Sequence, residues 1–132
     1  MKIPRYEPMN PAGWDTHYVI AVDYDGTMTD YNGNLRDDMV EFVRYYKTLG
    51  CVVILWTSRY GNLLNEAIHL CAEKELYFDY INECPFRRSS NKISADIYID
   101  DKSSDRAISP KTYSDIIDKA LADGHYKMVD RA

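Results

Sequence analysis

Two short runs of apolar residues stand out along the chain, at 17–23 (HYVIAVD) and at 51–57 (CVVILWT). Both are rich in β-branched residues, and in neither do apolar and polar positions alternate. Runs that are apolar on both faces are typical of central strands in a covered parallel sheet. Weaker runs at 77–82 (YFDYIN) and 95–101 (ADIYIDD) predict a third and a fourth strand.

Three other segments carry apolar residues at the three- and four-residue spacing of an amphipathic helix. Glycine or proline marks boundaries of the first and third of them, as expected for helix ends. The segments, with the side chains that we expect to be buried, are 34–50 (Met39, Phe42, Val43, Tyr46), 62–76 (Leu64, Ala67, Ile68, Cys71) and 109–124 (Ile116, Ile117, Ala120, Leu121).

The alternation of strands and helices predicts an α/β fold of three layers, Rossmann-like, with a mostly parallel sheet and helices on both faces. Ligands in such folds bind beyond the carboxyl ends of the strands. Residues 1–16 hold three of the five prolines and no periodicity, which indicates an extended N-terminal arm. Residues 17–132 then form a single α/β domain.

The composition of the 132 residues, 45% hydrophobic and 28% charged, is that of a soluble globular domain. A net charge of -5 disfavours a nucleic-acid partner. The sequence shows neither a signal-peptide core nor an apolar run long enough for a membrane span, so we expect a cytoplasmic protein. Cys51, Cys71 and Cys84 lack paired spacing, and we expect free buried thiols in a reducing compartment.

Polar residues follow three of the predicted strands where each strand ends. At neutral pH, carboxylates crowded at one sheet edge need a cation between them, and a hard, oxygen-ligated ion such as Mg²⁺ fits best. Mg²⁺ completes its shell with water and substrate phosphate, so the site predicts a phosphorylated ligand. The residues concerned are Asp23 and Asp25, then Thr57, Ser58 and Arg59, then Asp100 and Asp101.

Nearby residues suit a phosphoryl group. Gly26 permits a tight turn whose backbone N–H groups can face phosphate oxygens, and the Thr57 hydroxyl can donate a further hydrogen bond. Arg59 and Lys92 can supply positive charge.

With these residues in order, the chain resembles the haloacid dehalogenase (HAD) superfamily. The resemblance covers residues 17 to about 105 and rests on four ordered motifs. These are DYDGT at 23–27, the apolar strand ending in Thr57, Lys92, and YIDD ending at Asp101.

The resemblance implies a role for each matching residue. Asp23 would be the nucleophile that forms an aspartyl-phosphate, and Asp25 the general acid and base. Mg²⁺ would be held by the Asp23 side chain, the Asp25 backbone carbonyl and the motif-four acid, which aligns with Asp101; Asp100 could also touch the metal. Thr57 and Lys92 would hold the phosphoryl oxygens.

The second aspartate, Asp25, points within this family to a phosphatase or phosphotransferase. The gaps between motifs leave room only for a short flap and for one helix with a strand, which implies a member without a cap domain. An open site of this kind accepts a large substrate or is covered by a neighbouring subunit, so a homo-oligomer is one expectation.

Some assignments stay open. Lys92 lies only eight residues before Asp100, so Arg87, Arg88 or Lys74 are alternatives for its role. Asp105 falls where a supporting acid often sits. Asp30 is expected in a solvated turn, and Tyr24 and Tyr60 are candidate substrate contacts because they flank motif residues.

Rival interpretations are weaker. An EF-hand loop is disfavoured because the glycine in 23–34 comes too early and Asn34 stands where glutamate is required. A receiver domain would place its acidic pair, not Asp-x-Asp-Gly-Thr, at the first strand. We therefore expect a Mg²⁺-dependent phosphatase, a phosphomonoester hydrolase, acting on a small phosphorylated molecule. The alternatives are a nucleic-acid-end phosphatase and a non-catalytic phosphate- or partner-binding module.

Overall fold

The computed structural model describes residues 3–8, 17–83, 95–100, 110–124 and 126–131, with the backbone alone for the first and last of these ranges. The elements are β1 (Ile3–Pro8), β2 (Val19–Asp23), α1 (Asp37–Thr48), β3 (Val52–Trp56), α2 (Gly61–Glu73), β4 (Tyr80–Ile81), β5 (Ile97–Ile99), α3 (Pro110–Asp123) and β6 (Tyr126–Arg131).

Four strands form an all-parallel sheet in the order β4-β3-β2-β5. The two strongest apolar runs, β2 and β3, lie at its centre, as their two-faced apolar pattern predicts. Among the described residues, the connections between these strands consist of a short hairpin and helices, with no cap domain. The predicted fold class, a Rossmann-like α/β fold without a cap, is confirmed.

The main hydrophobic core lies on one face of this sheet. Register pairs Ile20 with Val53 and Val22 with Leu55, so these four side chains share that face. Buried residues of all three helices join the same cluster, among them Met39, Phe42, Val43 and Tyr46 of α1, Ala67 and Cys71 of α2, and Ile117 and Leu121 of α3. The described helices thus form one layer against this face, and the helices expected on the other face are not among the described residues.

A second, smaller cluster occupies the other face of the sheet. Val19, Val52 and Ile54 are fully buried there, with Trp56 and Tyr80 packed against them. At the carboxyl edge, Asp23 lies opposite Trp56 in the register of β2 and β3, on the same face as this cluster.

The predicted helices are present, with one correction to their buried faces. Ile116, expected in the core, is 50% exposed. Its neighbour Ile117 is fully buried, and adjacent helix positions point about 100° apart, so α3 buries only one of the two. Tyr46 of α1 donates a hydrogen bond of 2.6 Å to the Asp118 carboxylate and thereby ties α1 to α3.

Two aspartates fasten the strands at the opposite, amino edge of the sheet. Asp79, just before β4, accepts a bond from the Val53 N–H through its side chain (2.8 Å) and donates its own N–H to the Val53 carbonyl (2.8 Å). Asp96, just before β5, makes the same pair of contacts with Val19 (2.7 and 2.9 Å). Each aspartate therefore extends the ladder by one residue where a short strand begins.

The two ends of the chain pair with each other. Ile3–Pro8 of the expected N-terminal arm runs antiparallel to β6, which the sequence pattern does not predict. Pro4 and Pro8 suit this two-stranded sheet, because proline is tolerated on edge strands. Cys51 and Cys71 are buried free thiols, as expected, while Cys84 lies outside the described residues. None of the described helices is long and apolar enough to span a membrane.

Candidate active site at the carboxyl edge of the sheet

Three strand ends meet at the carboxyl edge of the sheet. Asp23 is the last residue of β2, and Thr57 and Asp100 directly follow β3 and β5. Register pairs Val22 with Leu55 and with Ile99, which brings these ends side by side. The predicted convergence of functional groups at one edge is therefore present in the fold.

A cavity lies at this edge of the sheet. It has a volume of about 230 Å³ and is lined by Asp23, Trp56, Thr57, Ser58 and Asp100. Two acidic residues, at the ends of neighbouring strands, thus line the same cavity as two residues that carry hydroxyl groups. The set offers ligands for a hard cation and hydrogen-bond donors for an anion.

The segment that follows β2 forms a single wide turn over residues Tyr24–Met28. The Thr29 N–H donates to the Tyr24 carbonyl at 3.2 Å, a π-type bond that spans five residues. Inside it, Asp25 (φ -68°, ψ 123°) and Gly26 (φ 79°, ψ -3°) have the angles of a type II β-turn. The third residue of that turn requires a positive φ, which explains the glycine.

The backbone N–H of Gly26 has a protein partner. It donates to the Thr29 hydroxyl at 3.0 Å, so in this conformation it is used within the turn and not by a ligand. Among the described residues, the buried Oγ1 atom of Thr27 has no hydrogen-bond partner.

A short hairpin follows the turn. Thr29 and Leu35 form an antiparallel bridge, and the Arg36 N–H donates to the Met28 carbonyl at 2.8 Å. Asp30 stays exposed and accepts two backbone bonds within the hairpin loop, which confirms its expected role in a solvated turn. A second cavity of about 230 Å³ lies here, lined by Gly26, Thr29, Asp30, Tyr31 and Arg36.

Asp25 is held by Arg59. The Nε and Nη2 atoms of Arg59 donate to Oδ2 and Oδ1 of Asp25 at 2.9 and 2.8 Å, and these hydrogen bonds raise the pKa of the guanidinium. The guanidinium carbon lies 4.7 Å from the centre of the Tyr24 ring. Neither Asp25 nor Arg59 is part of the wall of the cavity at Asp23.

The candidate substrate contacts beside these residues differ in accessibility. Tyr24 is 1% exposed, and its burial raises the pKa of its phenol, so the expectation of a substrate contact is wrong for this side chain. Tyr60 is 82% exposed and remains accessible.

Thr57 is fixed from two directions. Its backbone N–H donates to the Asn82 side chain at 2.8 Å, and its hydroxyl oxygen accepts the Arg59 N–H at 3.1 Å. A hydroxyl that accepts in this way keeps its own hydrogen for another acceptor. Asn82 itself has φ 55° and donates its N–H to the Leu55 carbonyl at 2.8 Å.

Asn82 and Trp56 are the site residues that the sequence analysis missed. A single asparagine after a weak strand carries no motif, although asparagine tolerates a positive φ better than most residues and could have been flagged on that ground. Trp56 lies in a strand whose pattern is apolar throughout, so its place in the cavity wall has no signal in the sequence.

The remaining predicted residues fall outside the described part of the chain. These are Lys92 and Asp101, the alternatives Arg87 and Arg88 to Lys92, and the supporting acid Asp105. Lys74, the other alternative, lies at the end of α2 and binds Asp37 at 2.8 Å. Because α2 begins next to Arg59 and runs away from the carboxyl edge, its far end does not reach the cavity at Asp23.

The described carboxylate residues at this edge fit the ligand preferences of Mg²⁺. Among the residues that the structure describes, no three His, Cys, Asp or Glu side chains form a metal-binding group. Mg²⁺, however, is usually bound through one or two protein carboxylates, with water and phosphate as its other ligands. Asp23 and Asp100 at one cavity meet that requirement.

Comparison with known proteins gives a relative of solved structure. The chain is similar to a solved structure of a conserved protein from Bacteroides thetaiotaomicron, with 30% identity and a TM-score of 0.68. The similarity covers 78% of this chain and 91% of the other. No family model matches the chain, and no curated protein matches it either.

Proposed function

The chain belongs to the same family as the conserved Bacteroides thetaiotaomicron protein, and we propose that it is a Mg²⁺-dependent phosphatase acting through an aspartyl-phosphate on Asp23. The observation that carries this proposal is the cavity shared by Asp23, Asp100, Thr57 and Ser58. It combines a carboxylate nucleophile, a second carboxylate for a cation and two hydroxyl donors for phosphoryl oxygens.

The first chemical step uses Asp23. One carboxylate oxygen attacks phosphorus, a new O–P bond forms, and the bond from phosphorus to the leaving oxygen breaks. The electron pair of that bond goes to the leaving oxygen, which takes a proton from the Asp25 carboxyl group. The product alcohol leaves, and the phosphoryl group stays on Asp23.

The second step releases phosphate. Asp25, now a carboxylate, takes a proton from a water molecule as the water oxygen attacks phosphorus. The bond between Asp23 and phosphorus breaks, and both aspartates return to their starting states. Thr57 and Ser58 donate hydrogen bonds to the phosphoryl oxygens throughout, at the positions where negative charge develops.

Mg²⁺ would be held by Asp23 and Asp100, with the Asp25 backbone carbonyl and Asp101 as the further ligands that the family resemblance suggests. When bound, the ion offsets the charge repulsion between the anionic substrate and the carboxylate that attacks it.

The substrate class that we propose is a small phosphorylated molecule. The cavity volume of about 230 Å³ is below that of usual drug-sized ligand sites. The net charge of -5 gives no support to a polyanionic partner.

A phosphate-release screen tests the proposal. Sugar phosphates, nucleotides, phosphoamino acids and 3′-phosphorylated oligonucleotides are assayed with Mg²⁺ and with EDTA. The proteins compared are the wild type, Asp23→Asn, and Asp115→Asn as a matched control, since Asp115 is an exposed acid on α3 paired with Lys111 at 3.5 Å.

We expect metal-dependent turnover in the wild type and in Asp115→Asn, and its loss in Asp23→Asn. Equal turnover in Asp23→Asn would overturn the assignment of the nucleophile. Absence of turnover with every substrate would favour a phosphate- or partner-binding module, and turnover confined to the oligonucleotides would favour the nucleic-acid-end phosphatase.

A further inference from the structure

Arg59 makes side-chain contacts in three directions. Its Nε and Nη2 atoms grip both oxygens of Asp25, and its Nη1 atom donates to the Leu63 carbonyl at 3.2 Å. Its guanidinium also lies over the buried ring of Tyr24. All three nitrogen atoms of the guanidinium are therefore engaged within the protein.

This arrangement uses three of the five guanidinium N–H groups and occupies the edge best suited to a phosphoryl group. The Nε–Nη2 edge, which would bind a phosphate through two parallel bonds, is occupied by Asp25. The guanidinium is also anchored on Tyr24, which is 1% exposed and fixed in the core. A phosphate that recruited this edge would have to break two charge-assisted hydrogen bonds.

The grip fixes the orientation of the Asp25 carboxyl group. The Asp25 side chain is 54% exposed and would otherwise sample several rotamers. A carboxylate offers about four lone-pair positions, so two bonds from Arg59 leave positions open for a substrate oxygen or a water. The pair can thus fix the carboxyl group without blocking proton transfer.

We propose that Arg59 is a positioning residue that holds Asp25 in place for proton transfer and does not bind the transferring phosphoryl group. This inference rests on the proposed function. It assigns Arg59 a different role from the phosphate contact that the sequence suggested. The backbone of Arg59 also orients a site residue, because its N–H donates to the Thr57 hydroxyl oxygen.

The proposal predicts a specific kinetic pattern. A displaced Asp25 protonates the leaving oxygen poorly, so substrates with a basic leaving group suffer most. p-Nitrophenyl phosphate needs little protonation of its leaving group, whereas glycerol phosphate depends on it. Loss of a phosphate ligand would instead raise KM for both substrates alike.

The kinetic experiment compares Arg59→Lys and Arg59→Ala with the wild type. Lysine keeps the charge but cannot make two parallel bonds to one carboxylate. We expect kcat for glycerol phosphate to fall roughly tenfold, less than the 100-fold or more of losing acid catalysis altogether. The decrease for p-nitrophenyl phosphate should be clearly smaller, and KM should change little for either substrate.

The matched control is Arg44→Ala, which removes an arginine that faces Glu75 at 3.6 Å, away from the carboxyl edge, and should leave both substrates unaffected. In the Asp25→Ala background, Arg59→Lys should have no further effect, because the two residues act as one unit. A KM increase of equal size for both substrates, or additive losses in the double variant, would overturn the proposal.

A second measurement does not depend on turnover. The Nε–H resonance of Arg59, observed by ¹⁵N NMR, should shift in Asp25→Asn, because that N–H donates to the Asp25 carboxylate. No shift in Asp25→Asn would overturn the inference. If the wild type lacks turnover that depends on Asp23, the proposed function fails, and the NMR result still decides whether Arg59 holds Asp25.

Discussion

The side-chain oxygen of Asn82 lies 2.8 Å from the backbone nitrogen of Thr57 and accepts its hydrogen bond. Thr57 is 8% exposed, so its N–H depends on this protein partner more than on water. Asn82 follows the two-residue strand β4 at the sheet edge and holds its position through the Leu55 carbonyl. One asparagine therefore fixes the end of the strand that carries the proposed phosphate-binding hydroxyl.

Asn82→Gly should remove this hydrogen bond and keep the positive φ of 55° that the position requires. We expect a loss of about 1–3 kcal/mol in the free energy of unfolding, because a nearly buried N–H is left unpaired. Turnover should fall as Thr57 loses its fixed position. Urea denaturation and the phosphatase assay measure the two effects.

Comparing Asn82→Ala with Asn82→Gly separates the contribution of the side chain to stability from that of the backbone conformation. Alanine lacks the amide and also resists the left-handed conformation, which adds roughly 1–2 kcal/mol to the destabilisation. If Asn82→Gly and Asn82→Ala were equally stable, the positive φ would not destabilise the alanine variant. If Asn82→Gly were as stable and active as the wild type, the hydrogen bond to Thr57 would have no role.

Gly33, in the hairpin loop, serves as a control for a substitution of Gly26 in the type II turn. Both have a positive φ, 79° and 84°, and a Cβ at Gly33 would meet nothing within 4 Å. Alanine at either position should cost roughly 1–2 kcal/mol from the left-handed backbone alone. Only Gly26→Ala should also reduce turnover, because its turn carries Asp25. Equal turnover in the two variants would separate the turn at Gly26 from catalysis.

The sheet and the convergence of its strand ends could be predicted from the sequence. The runs at 17–23 and 51–57 are apolar on both faces, and parallel strands bring their carboxyl ends to one edge whatever the details. That rule alone places three residues at the same edge of the sheet, namely Asp23, Thr57 and Asp100. The Asp-Gly turn could be predicted too, since the pattern needs glycine at one position.

The partners within the site could not be predicted. Asp25 and Arg59 are 34 residues apart, and their pairing depends on how the turn after β2 faces the start of α2. A charged residue after a strand is equally compatible with binding a ligand or a neighbouring side chain, so the sequence alone does not reveal that Arg59 binds Asp25. The β1–β6 pairing is a stronger case, because it joins the two ends of the chain through backbone bonds that carry no side-chain signature.

Thr27 and Thr29 are buried threonines two positions apart, and their side-chain oxygens differ in hydrogen bonding. Thr27 Oγ1 has no partner among the described residues, whereas Thr29 Oγ1 accepts the Gly26 N–H at 3.0 Å. A buried hydroxyl without a partner has already lost its hydration, so replacing it with a methyl group of similar shape removes that penalty.

Thr27→Val should therefore leave the free energy of unfolding unchanged or raise it. Thr29→Val should lower it by about 1–3 kcal/mol, because the Gly26 N–H is left unpaired. Thermal and urea unfolding of the two variants gives the comparison. A destabilised Thr27→Val would mean that its hydroxyl has a partner outside the described residues.

The buried thiols Cys51 and Cys71 predict how stability depends on pH. Desolvation by burial raises the pKa of Cys51 from 9.0 to about 12 and that of Cys71 from 9.0 to about 11. In the unfolded chain both thiols ionise near the ordinary value, while in the folded chain they stay neutral. The unfolded state therefore releases protons first, and stability falls as pH rises above about 9.

The stabilising contribution of the neutral thiols is complete below about pH 9 and is lost between that pH and the folded pKa values. Each thiol that is ionised only in the unfolded state lowers the free energy of unfolding by up to about 1.4 kcal/mol per pH unit. Urea denaturation between about pH 8 and pH 11 measures this slope. Cys51→Ala and Cys71→Ala should each make the slope shallower, whatever their effect on stability at neutral pH. Slopes identical to that of the wild type would show that these thiols ionise equally in both states, which would contradict their burial in the core.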